Sequence, residues 1–201
     1  DKSGLHFGFH IGINNYDFSM DLKDLSEVSN IFGVESEALP GYNINIISNL
    51  RLTEHLDLRF TPGFAATVRK VHFDLIDPIL DQRRIVTRQI ESSYVQFPFH
   101  LKFKSVRVDN YRLYLMGGLR YCNDLASRAK VVDDNLFKLQ RHTGDYEFGF
   151  GADLYFEYFK FSPQIRASWG LTNLLVQDGT LPVEAFDAIR NRAILVNFTF
   201  E

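Results

Sequence analysis

Residues 191–201 read NRAILVNFTFE, an alternation that puts Ile194, Val196, Phe198 and Phe200 on one face and Ala193, Leu195, Asn197 and Thr199 on the other. A period of two marks a β-strand whose two faces meet different surroundings. A chain that finishes inside such a strand is expected to use it to complete a sheet. A closed barrel is the natural candidate, because closure removes the edges that a half-polar sheet would otherwise expose.

Outward from that stretch the same period recurs along the chain. It predicts strands at Leu5–Asn14, Tyr42–Leu52, Leu56–Phe64, Ser92–Phe103, Tyr111–Tyr121, Tyr146–Phe156 and Phe161–Leu171, with the terminal segment as the eighth. In the first, Leu5, Phe7, Phe9, Ile11 and Ile13 oppose His6, Gly8, His10 and Gly12. Pro62 has no amide hydrogen for a ladder, so a bulge or irregular pairing is expected there. The connections are long after the first, third, fifth and seventh strands and short after the others. Outer-membrane barrels share this rhythm, with short periplasmic turns, long extracellular loops and both termini periplasmic.

Composition agrees. The 201 residues suit one domain, 1–201, and the 19 Phe and nine Tyr against six Pro favour strands over helix or disorder. A net charge of −3 with no dominant basic face predicts no nucleic-acid partner. Cys122 is the only cysteine, which excludes an intramolecular disulfide and any CxxC site. No basic-then-apolar leader follows Asp1; for an exported chain, the expectation is that the leader has been removed. No run of eighteen apolar residues is present, which excludes an ordinary membrane-spanning helix but not a barrel.

Alternation alone fits an apolar face that lines the cavity of a soluble barrel, that packs inside a sandwich or that faces lipid, and volume favours the last. The favoured register presents more bulky apolar and aromatic side chains than the narrow interior of an eight-stranded barrel can take. Turned outward they form a lipid-facing band, with Tyr42, Tyr111, Tyr121, Tyr146 and Trp169 near strand ends as an interfacial belt. The opposite face then fills the lumen with glycines and with a polar network of Asp57, Arg59, Arg112, Arg120, Glu147, Asp153 and Arg166, whose charges must be paired. The fold class expected is an all-β, eight-stranded antiparallel transmembrane β-barrel in the cell outer membrane, in contact with outer-membrane lipid.

No motif points to catalysis, a cofactor or a metal. His6 and His10 share a face but are four residues apart on a strand, about 13 Å, too far for one ion. His55, His72, His100 and His142 make no HExxH or compact ligand set. GFGAD at 149–153 departs from GxGxxG and sits inside an alternating strand, where slim glycine is the stronger reading. Asp153 with Glu157, and Asp57 with Arg59, suit structural ion networks better than acid–base pairs. Leu22, Leu25 and Val28 recur at helical spacing in the first long loop, which predicts a short amphipathic helix at the barrel mouth. Beyond Thr67, β-rich runs flank Asp77–Pro78; they fit an extended hairpin that exposes a protein-binding edge, or a folded loop.

Three phrases carry a resemblance: LRLTEHLDLRFTPGF at 50–64, ESSYVQFPFHLKFKS at 91–105 and NYRLYLMGGLRYCNDLAS at 110–127. With them the chain resembles, over essentially its whole length, the PorT-like outer-membrane β-barrel proteins of Bacteroidetes, associated with type IX protein secretion and, in gliding species, with motility. The resemblance implies a non-enzymatic component of that secretion machinery, with translocon proteins as partners and no catalytic residue to carry over. Glu201 after Phe200 departs from the usual aromatic ending of such barrels. A lumen filled with side chains is too narrow for folded cargo, so the expected work is assembly or stabilisation of a translocon through protein contacts. The alternatives are a small-solute channel, which needs an open lumen, an adhesion or binding barrel, and a membrane hydrolase, which needs a nucleophile and base that converge in space.

Overall fold

A computed structural model describes residues 4–22, 31–77, 82–126, 140–174 and 186–201. Ten antiparallel strands run through them: β1 (Leu5–Leu22), β2 (Ile31–Ala38), β3 (Pro40–Arg51), β4 (Leu56–Phe60), β5 (Gly63–Asp77), β6 (Gln82–Lys104), β7 (Tyr111–Asp124), β8 (His142–Tyr155), β9 (Lys160–Gly170) and β10 (Phe186–Phe200). Hydrogen bonding passes from β1 to β10, β9, β8, β7 and β6, and from β6 through β4 and β5 to β3. β1 pairs with β3 as well as with β10, Phe9 lying opposite Ile46 on one side and Phe200 on the other.

The eight strands expected from the periodicity become ten because the third is interrupted and because β2 forms in the stretch expected to be the first long loop. Between β4 and β5 the ladder breaks at Thr61 and Pro62, where the Ile46 amide donates to the Pro62 carbonyl at 2.9 Å and the Thr61 amide to the Pro98 carbonyl at 3.1 Å. The register against β3 is the same on both sides, Ser48 opposite Phe60 and Asn45 opposite Gly63. The irregularity at Pro62 is therefore a gap in the ladder rather than a bulge. Between β2 and β3 the register against β5 does shift by one residue, from Ala38–Arg69 to Tyr42–Ala66, beside Pro40.

Several strands outrun the alternation that announced them. β1 continues to Leu22, so the helical spacing counted from that residue begins in a strand; Leu25 and Val28 lie outside the described residues. β5 and β6 stay paired out to Asp77 and Gln82, and β2 lies along β5 from Ala38 to Ile31. The stretch after Thr67 is accordingly an extended hairpin that projects beyond the first β6–β7 pair, Tyr94 opposite Asp124. At the other end the β6–β7 turn closes on a Val108–Tyr111 bridge, with Asp109 at a φ of 48°, a conformation that Asp and Asn tolerate.

Burial alternates and is inverted. Along β10, Asn191, Ala193, Leu195, Asn197 and Thr199 are buried, whereas Ile194 is 53 % and Phe198 38 % exposed. Phe7 and Ile46 reach 66 % exposure, values that suit lipid and not water. Aromatic pairs line this outer surface, among them Phe60 on Phe99 with centroids 4.4 Å apart and Tyr146 stacked on Trp169 at 5.4 Å. The buried apolar cluster is small, made of Tyr16, Ala65, Tyr94, Cys122, Ala193 and Leu195, so most of the interior is polar. Close approach demands glycine at position 149, where a Cβ would lie 2.7 Å from both Arg166 Cγ and the Ile165 carbonyl oxygen.

β10 holds β1 on one side and β9 on the other, from Phe9–Phe200 and Phe161–Phe200 upward. Removal of residues 191–201 is expected to abolish stable membrane insertion, read as loss of the heat-modifiable band on gels. A normally inserted, heat-modifiable product would contradict the role given to β10.

Candidate functional site

Because alternate residues of every strand point inward, the polar interior is assembled from positions far apart in the chain. Its centre is Glu147 on β8. Arg120 of β7 brings Nη1 to 2.9 Å from Glu147 Oε1, while Arg166 of β9 and His100 of β6 approach Oε2 at 3.1 and 2.6 Å. The Arg120 guanidinium also donates from Nη2 to Asp145 Oδ2 at 2.6 Å and to Ser168 Oγ at 2.9 Å, and from Nη1 to the Tyr16 hydroxyl at 2.7 Å. All of these side chains are buried. An isolated charge there would cost several kcal/mol, and the mutual neutralisation offsets that cost.

Toward the projecting hairpin, Arg69 is fully buried and is met without a carboxylate. It donates to Asn191 Oδ1 at 2.9 Å, Ser92 Oγ at 2.6 Å and the Tyr94 hydroxyl at 2.9 Å, and its guanidinium lies 4.0 Å from the centre of the Phe18 ring. Neutral oxygens and a π face share the charge. Toward the turns, Lys102 Nζ donates to both Asp153 oxygens at 2.8 Å and sits 3.8 Å over the Tyr114 ring. Ser162 Oγ donates to the same Asp153 at 2.6 Å.

At the turn end Asp57 accepts from Lys104 Nζ at 2.6 Å and from Asn49 Nδ2 at 2.9 Å. Arg59 donates through Nε to Asn49 Oδ1 at 3.2 Å and through Nη2 to Glu201 Oε1 at 2.5 Å, and Lys160 closes on the other Glu201 oxygen. Burial raises the pKa of the Glu201 carboxyl, but Arg59, Lys160 and Lys102 outweigh it and hold the value at about 2, below the ordinary 4.5.

The seven interior residues expected from the sequence thus lie in separate groups. Arg120, Glu147 and Arg166 meet one another, Asp153 pairs with Lys102, Asp57 with Lys104, and Arg59 with Glu201. Arg112 stands opposite Asp153 in the β7–β8 register but takes part in none of these bonds, and its Nε is buried without a hydrogen-bond partner. Asp57 and Arg59 serve structural ion pairs with Lys104 and Glu201 rather than with each other, and Asp153 binds Lys102 while Glu157 is exposed in the β8–β9 turn. Partners that sequence reasoning left out are His100, Lys102 and Lys104, on the polar face of β6, Asp145 just before the expected sixth strand, and Arg69, which falls in a stretch that alternation leaves open. Facing opposite charges are no sure guide, since Arg120 bonds to the facing Asp145 whereas Asp57 and the facing Lys102 take other partners.

Among the described residues no group of three His, Cys, Asp or Glu is placed to hold a metal ion. His10 is buried with both ring nitrogens lacking a partner, and GFGAD lies within β8 rather than at a strand-to-helix turn.

The sequence matches the outer membrane protein beta-barrel domain family over residues 1–176. The chain belongs to that family. It is an outer-membrane protein, with the start of β1 and the end of β10 on the periplasmic side. Among solved structures, the outer membrane protein OprG from Pseudomonas aeruginosa is similar at a TM-score of 0.52 and 13% identity, covering 99% of this chain and 94% of OprG. Neisserial surface protein A (NspA) gives a TM-score of 0.49 at 9% identity, covering 98% of each chain. At such identity the likeness to OprG is one of fold alone. No curated protein sequence matches the chain.

Replacing Glu147 by Gln keeps the shape and removes the negative charge between Arg120, Arg166 and His100. A loss of about 3–5 kcal/mol is expected, the scale for breaking a buried charge pair, measured from the shift of the unfolding midpoint in detergent. The Glu201 carboxyl, held low, stabilises the folded state above its ordinary pKa and yields that contribution as pH falls from 4.5 toward about 2. The fall in thermal stability across that window is expected to be shallower in Glu201→Gln than in the unaltered chain; equal slopes would contradict the assignment.

Proposed function

We propose that the ten strands act as eight staves of a closed transmembrane barrel, β2 continuing β3 and β5 continuing β4, with short turns in the periplasm and long loops outside. We further propose that this barrel is a PorT-like component of type IX protein secretion that assists assembly or stability of the translocon through protein contacts. The single observation that carries the reading is the filled interior. Arg120 reaches from β7 to Tyr16 on β1, and Arg69 from β5 to Asn191 on β10, so polar side chains cross the space that cargo or solute would need. A barrel of this bore, blocked in this way, works from its surfaces.

The three sequence phrases that resemble PorT-like proteins support the choice of machinery. The projection of β2, β5 and the first half of β6 supports a protein-binding role, because past Ser93 the outer edge of β6 has no ladder partner among the described residues. Arg69 at its root belongs to the interior and must stay. His72 faces Thr87 and Val71 faces Arg88, so replacing residues 72–87 with a two-residue Asn-Gly turn leaves Val71 facing Arg88 in register. This shortened protein is expected to insert and remain heat-modifiable, yet to lose co-purification with the secretion translocon in gentle detergent. An unchanged complex would defeat the proposal, and so would ion conductance of the intact barrel in planar bilayers.

A further inference from the structure

Opposite the projection, the ends of β1, β3, β4, β6, β7, β8 and β9 surround a cavity of about 110 Å³. Arg51, Lys104, Arg107, Arg112 and Lys160 bring five cationic side chains to its lining, against the carboxylates of Asp57 and Asp153. Both carboxylates are engaged by lysines rather than by Arg107 or Arg112. Asp57 holds Lys104 at 2.6 Å, and Asp153 holds both contacts of Lys102, which lies outside the lining, at 2.8 Å. Glu201, the next nearest acid, is taken by Arg59 and Lys160.

Arg107 and Arg112 are left with no carboxylate. The Arg107 Nε donates to the Asp109 carbonyl at 2.8 Å, and its guanidinium lies 4.1 Å from the Tyr155 ring centre. Both contacts orient the group without neutralising it. Arg112 has less, a buried Nε with no hydrogen-bond partner. Arg112 is half-buried, with only its inner Nε shut away, so its guanidinium is positioned to donate into the cavity, and an anion there supplies the acceptor it lacks.

We propose that this cavity is a binding site for a phosphate-class oxyanion, held chiefly by Arg112 and Arg107. The cavity has room for a tetrahedral oxyanion. The cations come from several strands around the mouth rather than from one plane, which suits oxygens that point in several directions better than a flat carboxylate. Two guanidinium forks supply paired donors to such oxygens. The same chemistry is met by free phosphate and by a phosphomonoester lipid headgroup, and the site faces the periplasmic side where both are present. The proposal is independent of the secretion reading, since it rests on the cavity alone.

The test is calorimetric titration of inorganic phosphate into the intact chain in a neutral detergent at fixed ionic strength. Saturable one-site binding is expected, at least tenfold weaker in Arg112→Gln and in Arg107→Gln and unchanged in Arg190→Gln, whose exposed guanidinium pairs with Asp21 at the far end. Heat-modifiability verifies that each variant is folded, and Arg107, exposed in a turn, carries the test if the Arg112 variant does not fold. Repeating the titration in nanodiscs separates the sources. Phosphate binding abolished by phosphatidate but kept in phosphatidylcholine assigns the site to a headgroup; binding kept in both assigns it to the free ion. Absence of saturable binding to the unaltered chain, or affinity unchanged in both arginine variants, overturns the proposal.

Discussion

The Glu147 carboxylate lies among Arg120, Arg166 and His100 because the outer surface of the sheet is apolar and leaves charged side chains only one direction in which to point. In a water-soluble protein those charges would be solvated and the pairs would contribute little. Here they occupy a low-dielectric interior, so each must find an opposite charge, a hydroxyl or an aromatic face. The partners come from different strands, which makes the ion pairs ties across the interior as well as neutralisers. Arg120 alone links β7 to β1, β8 and β9.

The same constraint explains the different solutions at different depths. Around Glu147 two cations and a histidine share two acids. Arg69 is met by Asn191, Ser92, Tyr94 and the Phe18 ring. At the turn end Glu201, which as the residue after an aromatic ending looks out of place in sequence, is the acceptor that holds Arg59 and Lys160. Arg112 takes part in none of these pairs, and its unpartnered Nε directs attention to the cavity beside it.

Much of the fold was legible. All eight alternating stretches are strands, and the outward turn of their apolar faces follows from volume, since large side chains cannot share a narrow bore. The extensions of β1, β5 and β6 were not legible, because beyond the apolar belt both faces of a strand meet water or protein and the alternation that marks it fades. Residues 82–90 show this, with Arg83, Arg84 and Arg88 exposed alongside Ile85 at 69 %. Leu22, from which the helical spacing is counted, belongs to β1, which is held there by pairing of Ser19 with Arg190 and Met20 with Ile189; Leu25 and Val28 lie outside the described residues.

The sequence by itself determined which residues face lipid and which face inward, because a period of two survives any choice of neighbour. It could not determine which inward charge meets which. That depends on the stagger between strands, a property of the whole ring of pairings rather than of any segment. So Asp57 and Arg59, two apart on one strand and on one face, do not bind each other; Lys104 and Glu201 reach them from other strands. NRAILVNFTFE announced a strand with an apolar outer face. Only the tertiary structure decided that its neighbours are β1 and β9 and that the glutamate behind it turns inward to close the charge balance at the mouth.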